Sequence, residues 1–322
     1  MNVLITGGAG YIGSTLAAQL LSAGHGVRVL DSLLHGGRAL LPVWSHAGFE
    51  FVKGDVRDRA AVERALDGVE AVVHLAAIVG DPACARQPDV ARAVNLDASL
   101  DLLAESRRRG VDRFVFASTC SNYGKMKDPN AFVDEASTLA PVSLYAETKV
   151  AVERAILADS GANGFCPTLL RFATVYGVSP RMRFDLTVNE FTLEMVGRGR
   201  LVVFGEQFWR PYVHVADAAR AIAMVLDAPA AAVRREVFNV GATEENYRKL
   251  DIVELVRPHA PDAAVEFVEK KEDPRDYRVS FAKVKERLGF TLKRTVAGGI
   301  VEVAHLVRDG VLSDFERPEY RN

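Results

Sequence analysis

The stretch that decides the fold is Val3-Leu4-Ile5-Thr6-Gly7-Gly8-Ala9-Gly10-Tyr11-Ile12-Gly13, near the start of the chain. Its first three residues predict a buried β-strand, and the apolar pattern from Leu16 to Leu21 predicts a helix soon after the glycines. Glycine permits positive φ and leaves no Cβ in the way of a close ligand. A helix N-terminus presents free N–H groups and a positive dipole to an anion. The stretch therefore predicts a phosphate-binding turn between a strand and a helix.

The surroundings of this turn strengthen that interpretation. Gly7, Gly10 and Gly13 have the spacing G-x-x-G-x-x-G, which by itself is a weak signal. A second apolar strand, Val27 to Leu30, follows the helix and leads directly into Asp31. A strand, a glycine-rich turn, a helix and an acidic residue at the end of the next strand are what a dinucleotide site requires. We therefore expect a dinucleotide to bind at this turn.

Composition limits the remaining classes of function. Of the 322 residues, 49% are hydrophobic and 25% are charged, which is ordinary for a soluble globular protein. A net charge of −2 gives no reason to expect a nucleic acid or a membrane surface as a partner. No apolar run is long enough for a bilayer span, and the early strand leaves no room for a signal peptide. We expect a cytoplasmic protein with free thiols and no metal site, because its cysteines lack metal spacing: Cys84, Cys120 and Cys166.

The first half of the chain alternates predicted strands and helices. Repeated β-α-β units imply a parallel sheet with helices on both faces. The predicted fold class is therefore α/β, with a Rossmann-like doubly wound parallel sheet. Its longest helix is expected from Asp89 to Arg109, where Gly110 stops it.

Beyond about residue 175 the predicted segments become shorter and less regular. We expect residues 1–175 to form the dinucleotide-binding domain and residues 176–322 a smaller, mixed substrate-binding lobe. Some segments, at about 212–240, are expected to return to the main domain. Ligands of open α/β sheets bind beyond the carboxyl ends of the strands. The substrate is therefore expected in the cleft between the two parts.

The candidate catalytic residues are a tyrosine and a lysine on one predicted helix. Tyr145 and Lys149 are four residues apart and so lie on the same helix face. A nearby ammonium favours the phenolate, whose reference pKa is about 10. A lowered pKa would let Tyr145 move a proton near neutral pH. Thr119 follows the strand that begins at Arg113, and its hydroxyl is placed to share a substrate oxygen with Tyr145.

With these residues the chain resembles the extended short-chain dehydrogenases/reductases, specifically the nucleotide-sugar epimerases and dehydratases. The resemblance covers nearly the whole chain. The motifs that carry it are Thr6-Gly7-Gly8-Ala9-Gly10-Tyr11-Ile12-Gly13, Gly54-Asp55-Val56-Arg57-Asp58, His74-Leu75-Ala76-Ala77, Phe116-Ala117-Ser118-Thr119, Tyr145-x-x-x-Lys149, Arg210-Pro211-Tyr212-Val213-His214-Val215-x-Asp217 and Asp273-Pro274-Arg275-Asp276.

The resemblance implies a set of cofactor-binding residues. Asp31 would bind the adenosine ribose hydroxyls, and a carboxylate there repels a 2′-phosphate, so NAD is favoured over NADP. Arg38, in the following loop, would either accept a phosphate or be a solvated loop residue, and we favour the second. The other implied cofactor contacts are Gly7, Gly10, Tyr11, Ile12, Gly13, Asp55, Val56, Leu75, Ala76, Ala77, Asn95, Tyr145 and Lys149.

The resemblance also implies substrate contacts and an assembly. Arg210 and Arg275 match arginines that grip the diphosphate of a nucleotide sugar, for which guanidinium groups are geometrically suited. Asn189 would add an amide contact to the same diphosphate. The other implied substrate residues are Asp81, Thr119, Cys120, Ser121 and Thr174. By analogy with the family, a homodimer is expected through the helices of residues 89–109 and 143–158.

The sequence departs from the family pattern at informative positions. Thr174 stands where many relatives have an asparagine that touches the substrate. Nucleotide-sugar 4,6-dehydratases place an Asp-Glu pair after the threonine, whereas this chain has Cys120 and Ser121, which disfavours dehydration. Cys120 is either a proton shuttle or, as we favour, a buried and inert thiol. Asp81 either binds a sugar hydroxyl or begins a turn before Pro82, with no preference between the two.

These residues predict an NAD-dependent epimerase that acts at C4 of an NDP-hexose. Tyr145 would take the C4 hydroxyl proton as hydride leaves for the nicotinamide, and the transient 4-keto sugar would rotate before hydride returns to the other face. The alternative is an NDP-4-keto-sugar reductase or 4-dehydrogenase that uses the same residues. A dehydratase, or a relative that binds NAD without turnover, is a weaker hypothesis.

Overall fold

The computed structural model describes residues 1–126, 128, 131–158, 164–270, 275–312 and 314–322. Asp273 and Pro274, which belong to one of the motifs above, lie outside these ranges. The strands are β1 (Asn2–Thr6), β2 (Gly26–Asp31), β3 (Phe49–Lys53), β4 (Ala71–His74), β5 (Arg113–Thr119), β6 (Cys166–Phe172), β7 (Thr174–Tyr176), β8 (Arg200–Phe204), β9 (Trp209–His214), β10 (Val237–Val240), β11 (Asn246–Arg248) and β12 (Ala264–Val268). The α-helices are α1 (Tyr11–Ser22), α2 (Arg59–Ala65), α3 (Asp81–Arg86), α4 (Pro88–Arg92), α5 (Ala98–Arg108), α6 (Leu144–Ala158), α7 (Thr187–Thr192), α8 (Val215–Asp227), α9 (Ala230–Val233), α10 (Lys249–Val256), α11 (Ala282–Leu288) and α12 (Val296–Arg308).

The predicted α/β fold is confirmed. Seven parallel strands form one sheet in the order β10-β6-β5-β4-β1-β2-β3. Its central strands are mostly apolar and buried because helices cover both faces. Along β1, Val3 and Ile5 pack towards α1 and α8, whereas Leu4 packs towards the side of α2, α5 and α6. This sheet fixes where each strand ends, and therefore where the loops that follow the strands begin.

The small lobe carries two further sheets. One has the strand order β11-β9-β7, and the other pairs β12 with β8. Tyr176, Tyr212, Val253 and Ile300 lie in their shared core. Of the segment 212–240, α8 packs on α1 and β10 pairs with β6 in the large sheet, whereas β9 stays in the three-stranded sheet. The chain thus leaves the large sheet after β6 and returns to its edge.

The predicted helix from Asp89 to Arg109 is interrupted. Helix α4 passes into a π-helical turn, Ala93–Asp97, which continues as α5, and Gly110 ends the run at φ +75°. A π-turn inserts an extra residue and often marks a functional position. Here it contains Asn95, whose fully buried amide reaches the loop after β4. Across the described part of the chain, no helix has the length and apolar character needed to span a bilayer.

Candidate active site

The carboxyl ends of β1, β2, β4 and β5 meet at one edge of the sheet, and the glycine-rich turn lies there. Gly7 has φ +73°, and a Cβ on it would come within 2.7 Å of the Ala76 backbone nitrogen. The turn therefore requires glycine at this position both for its conformation and for its packing. Helix α1 begins immediately afterwards, and its N-cap is Gly10, which has no side chain to accept the N–H groups of the first turn. These donors suit an anion such as a dinucleotide pyrophosphate.

Asp31 lies at the end of β2, beside this turn. Its Oδ2 accepts a hydrogen bond from the Ala9 N–H at 3.0 Å, and its Oδ1 accepts one from the Leu33 N–H at 2.8 Å. Burial raises the pKa of the Asp31 carboxyl, while these backbone donors oppose the rise. The carboxylate is thus fixed against the turn, as a ribose-binding group requires. Arg38 is 75% exposed and lies 3.5 Å from Glu319, which agrees with a solvated loop residue.

The loop after β4 forms the opposite wall of the turn. The N–H of Leu75 donates to the Thr6 carbonyl oxygen at 3.1 Å, which continues the pairing of β4 with β1. The Asn95 amide then clamps Ile78, because it accepts from the Ile78 N–H at 2.8 Å and donates to the Ile78 carbonyl at 2.9 Å. Asn95 therefore shapes the loop that carries Ala76 and Ala77.

The expected adenine contacts lie after β3. The Asp55 carboxylate binds the Arg57 guanidinium at 2.7 Å, and this bond is the main reason that its pKa is lowered. Val56 is buried. With the glycine turn, Asp31 and the loop after β4, these residues form a continuous wall along the sheet edge. The site therefore fits a dinucleotide.

The three predicted catalytic residues come from β5 and α6. The Lys149 Nζ donates to the Ala117 carbonyl at 2.8 Å and lies 5.9 Å from the centroid of the Tyr145 ring. The shared helix face predicted for Tyr145 and Lys149 is confirmed. Thr119, the last residue of β5, accepts a hydrogen bond from the Ser121 N–H at 3.1 Å, so its hydroxyl hydrogen is not used in that bond.

The predicted fall in the pKa of Tyr145 is wrong for the chain alone. Burial raises the pKa of the phenol above its usual value, and the cation that partly offsets this rise is Arg183. Burial also lowers the pKa of the Lys149 ammonium to about 8. Both shifts have one physical cause, since desolvation disfavours each charged form. The phenol therefore needs a further positive charge close to it before it can ionise near neutral pH.

Two of the predicted substrate residues contact each other. Asp81 begins α3, and its Oδ1 accepts a hydrogen bond from Ser143 at 2.7 Å. Its Oδ2 lies 3.0 Å from the guanidinium of Arg275, which belongs to the small lobe. Asp81 thus does more than start a turn, because it joins the loop after β4 to the small lobe across the cleft.

Tyr277 is a buried residue beside two predicted substrate residues, Ser121 and Arg210, and the sequence analysis missed it. It is 2% exposed, and its hydroxyl donates to the Ser121 Oγ at 3.4 Å. Its ring centroid lies 5.6 Å from the guanidinium carbon of Arg210. Burial raises the pKa of Tyr277, and the phenol is near enough to Tyr145 to influence it electrostatically. Tyr277 follows Arg275 closely in sequence, but no recognisable spacing connects it with Ser121.

Other predicted substrate residues are engaged inside the protein. The thiol of Cys120 is 1% exposed and donates to the Arg171 carbonyl at 3.3 Å, which confirms a buried thiol. Asn189 is fully buried; its amide accepts from the Gly177 N–H at 2.9 Å and donates to the Tyr11 hydroxyl at 3.1 Å. We therefore leave Cys120 and Asn189 out of the proposed substrate contacts. Thr174 is half-buried, on β7.

A buried ion pair supports the catalytic residues from behind. Glu153 lies one helical turn after Lys149 and binds the Arg171 guanidinium at 2.7 Å, with both side chains at most 4% exposed. The same carboxylate accepts hydrogen bonds from Ser118 at 2.5 Å and from Asn122 at 2.9 Å. The pair therefore ties α6 to β6 and to the end of β5, which carries Thr119.

The family described as the NAD dependent epimerase/dehydratase family matches residues 3–241. A UDP-glucose 4-epimerase of Corynebacterium glutamicum is 32% identical over 94% of this chain and 94% of its own length. A dTDP-glucose 4,6-dehydratase of Streptomyces niveus is 31% identical over 96% of this chain and 93% of its own length.

The fold has counterparts among solved structures. A crystal structure of the Thermus thermophilus UDP-glucose 4-epimerase in complex with NAD is similar with a TM-score of 0.84 and 29% sequence identity. The similarity covers 96% of this chain and 100% of that one. Because the family match spans most of the chain and includes the glycine turn, Tyr145 and Lys149, this chain belongs to the NAD-dependent epimerase/dehydratase family, with NAD as its cofactor.

Proposed function

We propose that this protein is an NAD-dependent epimerase that inverts C4 of an NDP-hexose through a transient 4-keto sugar. The grouping of Thr119, Tyr145 and Lys149 at one strand end supports an alcohol oxidation at a single carbon. Relatives that share this fold include both epimerases and dehydratases. The choice between those reactions therefore depends on which proton-transfer groups this chain places around the sugar.

The observation that carries the choice is the sequence Thr119-Cys120-Ser121. Loss of water from C5 and C6 of a sugar needs an acid and a base besides the tyrosine, and a carboxylate pair suits that task. Here the first of the two positions is a thiol directed into the core, and the second is a hydroxyl that accepts a bond from Tyr277. An epimerase needs only one proton relay, which Tyr145 can provide.

The proposed steps assign a task to each residue. When bound, NAD supplies the acceptor and donor of hydride. Tyr145 accepts the proton of the C4 hydroxyl, Thr119 donates a hydrogen bond to the same oxygen, and the Lys149 ammonium stabilises the phenolate. After the 4-keto sugar has turned in the cleft, Tyr145 returns the proton to the C4 oxygen.

The diphosphate is proposed to bind between the two parts of the molecule. Arg210, on β9, is buried and donates to the Arg275 carbonyl, and Arg275 already bridges the cleft to Asp81. We propose that the diphosphate takes up contacts with both guanidinium groups, since their planar forks match phosphate oxygens. Ser121 and Thr174 remain proposed contacts of the sugar, whereas Asp81 either binds a sugar hydroxyl or competes with the diphosphate for Arg275. We also propose that the protein is cytoplasmic and forms a homodimer. Size-exclusion chromatography with light scattering tests the dimer.

The reaction is tested by incubating the purified protein with a panel of NDP-hexoses and identifying the products by NMR. An epimerase yields the C4 epimer with no net change in absorbance at the NADH band. A stoichiometric change in NADH would instead establish the reductase or 4-dehydrogenase reaction. A 4-keto-6-deoxy product would establish dehydration and overturn the proposal.

The proton relay is tested with Tyr145→Phe. We expect turnover to fall by about 100-fold or more, because general acid–base catalysis contributes about 10² to 10⁴. NAD affinity, measured by calorimetry, should stay close to that of the wild type. The matched control is Tyr247→Phe, which removes a phenol from the small lobe. Unchanged turnover of Tyr145→Phe would refute the assigned relay.

A further inference from the structure

We propose that Arg181 is an additional cofactor-binding residue, which donates to the dinucleotide pyrophosphate from the small lobe and is positioned by the segment of residues 315–322. The proposal concerns binding of NAD, and it does not depend on the reaction proposed above.

The loop that carries Arg181 packs directly on the glycine turn. The Tyr11 hydroxyl donates to the Gly177 carbonyl at 2.5 Å, and the Ser179 hydroxyl donates to the Tyr11 carbonyl at 2.7 Å. Ser14, in the first turn of α1, lies 3.3 Å from the Ser179 hydroxyl. Arg181 is therefore two residues after Ser179, which contacts the N-terminal turn of α1, where the pyrophosphate is expected to bind.

The guanidinium of Arg181 is buried and incompletely bonded. Arg181 is 5% exposed. Its Nη2 donates to the Arg321 carbonyl at 2.9 Å and to the Asn322 Oδ1 at 2.7 Å. Its Nε is buried and has no hydrogen-bond partner among the described residues. A buried donor without a partner is costly and is rare in folded proteins. An anionic ligand at this position would supply the missing acceptor.

The charges around Arg181 also favour an anion. Asp31 and Arg181 are close enough to influence each other's pKa electrostatically. Burial and the nearby Arg183 lower the pKa of Arg181 to about 10, and burial followed by Arg181 lowers the pKa of His35 to about 4. The Arg183 guanidinium is itself bound to Asp185. Of these two arginines, Arg181 is the one whose buried Nε has no hydrogen-bond partner among the described residues, because the Arg183 Nε donates to Asp185.

The segment 315–322 holds Arg181 across the cofactor edge of the sheet. The Tyr320 carbonyl accepts from the Phe184 N–H at 2.9 Å, and their rings meet edge to face. On one side, Glu319 lies 3.5 Å from Arg38 in the loop after β2. On the other, Arg86 of α3, after β4, donates to the Asn322 carbonyl at 3.3 Å. The segment therefore spans the strand ends between which the dinucleotide lies.

The test measures binding to the full chain by isothermal titration calorimetry, with adenosine, ADP, NAD and NADP as probes. For Arg181→Gln we expect the affinities for ADP and NAD to fall about 10- to 100-fold, the range for a lost hydrogen bond to a charged group. Adenosine, which lacks phosphate, should bind equally well to the variant and the wild type. The control is Arg287→Gln, which alters an exposed arginine of α11 that lies 3.6 Å from Glu236 and should leave all four affinities unchanged.

Each of the other outcomes overturns the assignment. Equal ADP affinity of Arg181→Gln and the wild type would show that the guanidinium does not reach the pyrophosphate. A loss confined to NADP would place Arg181 against a 2′-phosphate instead. If Arg181→Gln does not fold, Arg181→Lys keeps the charge but loses the Nε donor and the planar fork. ADP affinity must then fall while adenosine affinity is kept, and an unchanged ADP affinity would again refute the proposal.

Discussion

The two sides of the cleft are built differently. On the sheet side, backbone groups fix the polar side chains, as the Ala9 and Leu33 N–H groups fix Asp31 and the Ala117 carbonyl fixes Lys149. On the small-lobe side, the two proposed substrate arginines are already engaged, since Arg275 binds the Asp81 side chain and Arg210 donates to the Arg275 carbonyl. A sheet edge can therefore present a preformed cofactor site, whereas the substrate has to compete with contacts that already exist. The predictions below test this difference.

The largest expected effect is on stability, from Arg171→Met on the sheet side. The variant leaves the Glu153 carboxylate buried without its cation, since both side chains are at most 4% exposed. Breaking a buried pair in this way typically costs about 3–5 kcal/mol. Urea denaturation should show this decrease in the free energy of unfolding.

The matched control for that variant is Arg59→Met. Arg59 is 84% exposed and lies 2.9 Å from Glu63 on the surface of α2, where an ion pair contributes about 0–1 kcal/mol. If Arg171→Met and Arg59→Met lowered the free energy of unfolding equally, the result would contradict the idea that the buried pair supports the strand ends.

The next effect concerns His74, which is fully buried on β4 between Thr6 and Ser99. Burial lowers its pKa to about 3, whereas its pKa in the unfolded chain is about 6.5. Between these two pH values the ring is neutral in the folded protein and protonated in the unfolded chain. Its contribution to stability is therefore present above pH 6.5 and is lost as the pH falls. Between pH 6.5 and 5, the wild type should lose about 2 kcal/mol more than His74→Gln. Parallel pH profiles of the free energy of unfolding would refute the assignment.

A smaller effect is expected from Tyr277→Phe, on the small-lobe side. The change removes the hydroxyl that donates to Ser121 but keeps the ring under Arg210. We expect KM to rise about fivefold, as for the loss of one hydrogen bond of about 1 kcal/mol, while kcat changes little. Steady-state kinetics separate the two constants. A loss in kcat without a change in KM would instead place Tyr277 in the chemical step.

The smallest effect is expected from Asp81→Asn. The change weakens the ion pair with Arg275, whose side chain is 38% exposed, so stability should change by less than about 1 kcal/mol. If the diphosphate competes with Asp81 for Arg275, KM should fall about twofold. A rise in KM would favour the other interpretation, in which Asp81 binds the sugar directly.

The sequence predicted the sheet side well because its signals are local. The glycine spacing, the strand that ends at Asp31 and the four-residue step from Tyr145 to Lys149 each lie within one short segment. The structure places the ammonium of that lysine 5.9 Å from the tyrosine ring centroid, as the helical spacing requires. Regular elements convert such spacing directly into geometry.

The small-lobe side could not be predicted in the same way. Tyr277 contacts Ser121, and Arg275 contacts Asp81, because segments that are far apart in the sequence fold onto one another. The direction of the pKa shift of Tyr145 was also missed, because desolvation depends on the whole surrounding structure and not on one neighbouring lysine. The division at residue 175 stays a prediction, as do the dimer and the substrate.

The return of β10 to the large sheet has a consequence for how the chain folds. Strand β6 is buried along its whole length, and its outer edge pairs with β10, Val237–Val240. During synthesis, this edge stays open while β7, β8, β9 and α8 are made. An open, apolar strand edge invites pairing with other chains. A chain cut at about residue 175 would lack β10, so this edge of β6 would stay exposed permanently. The cofactor domain therefore depends on sequence that follows the first strands of the small lobe.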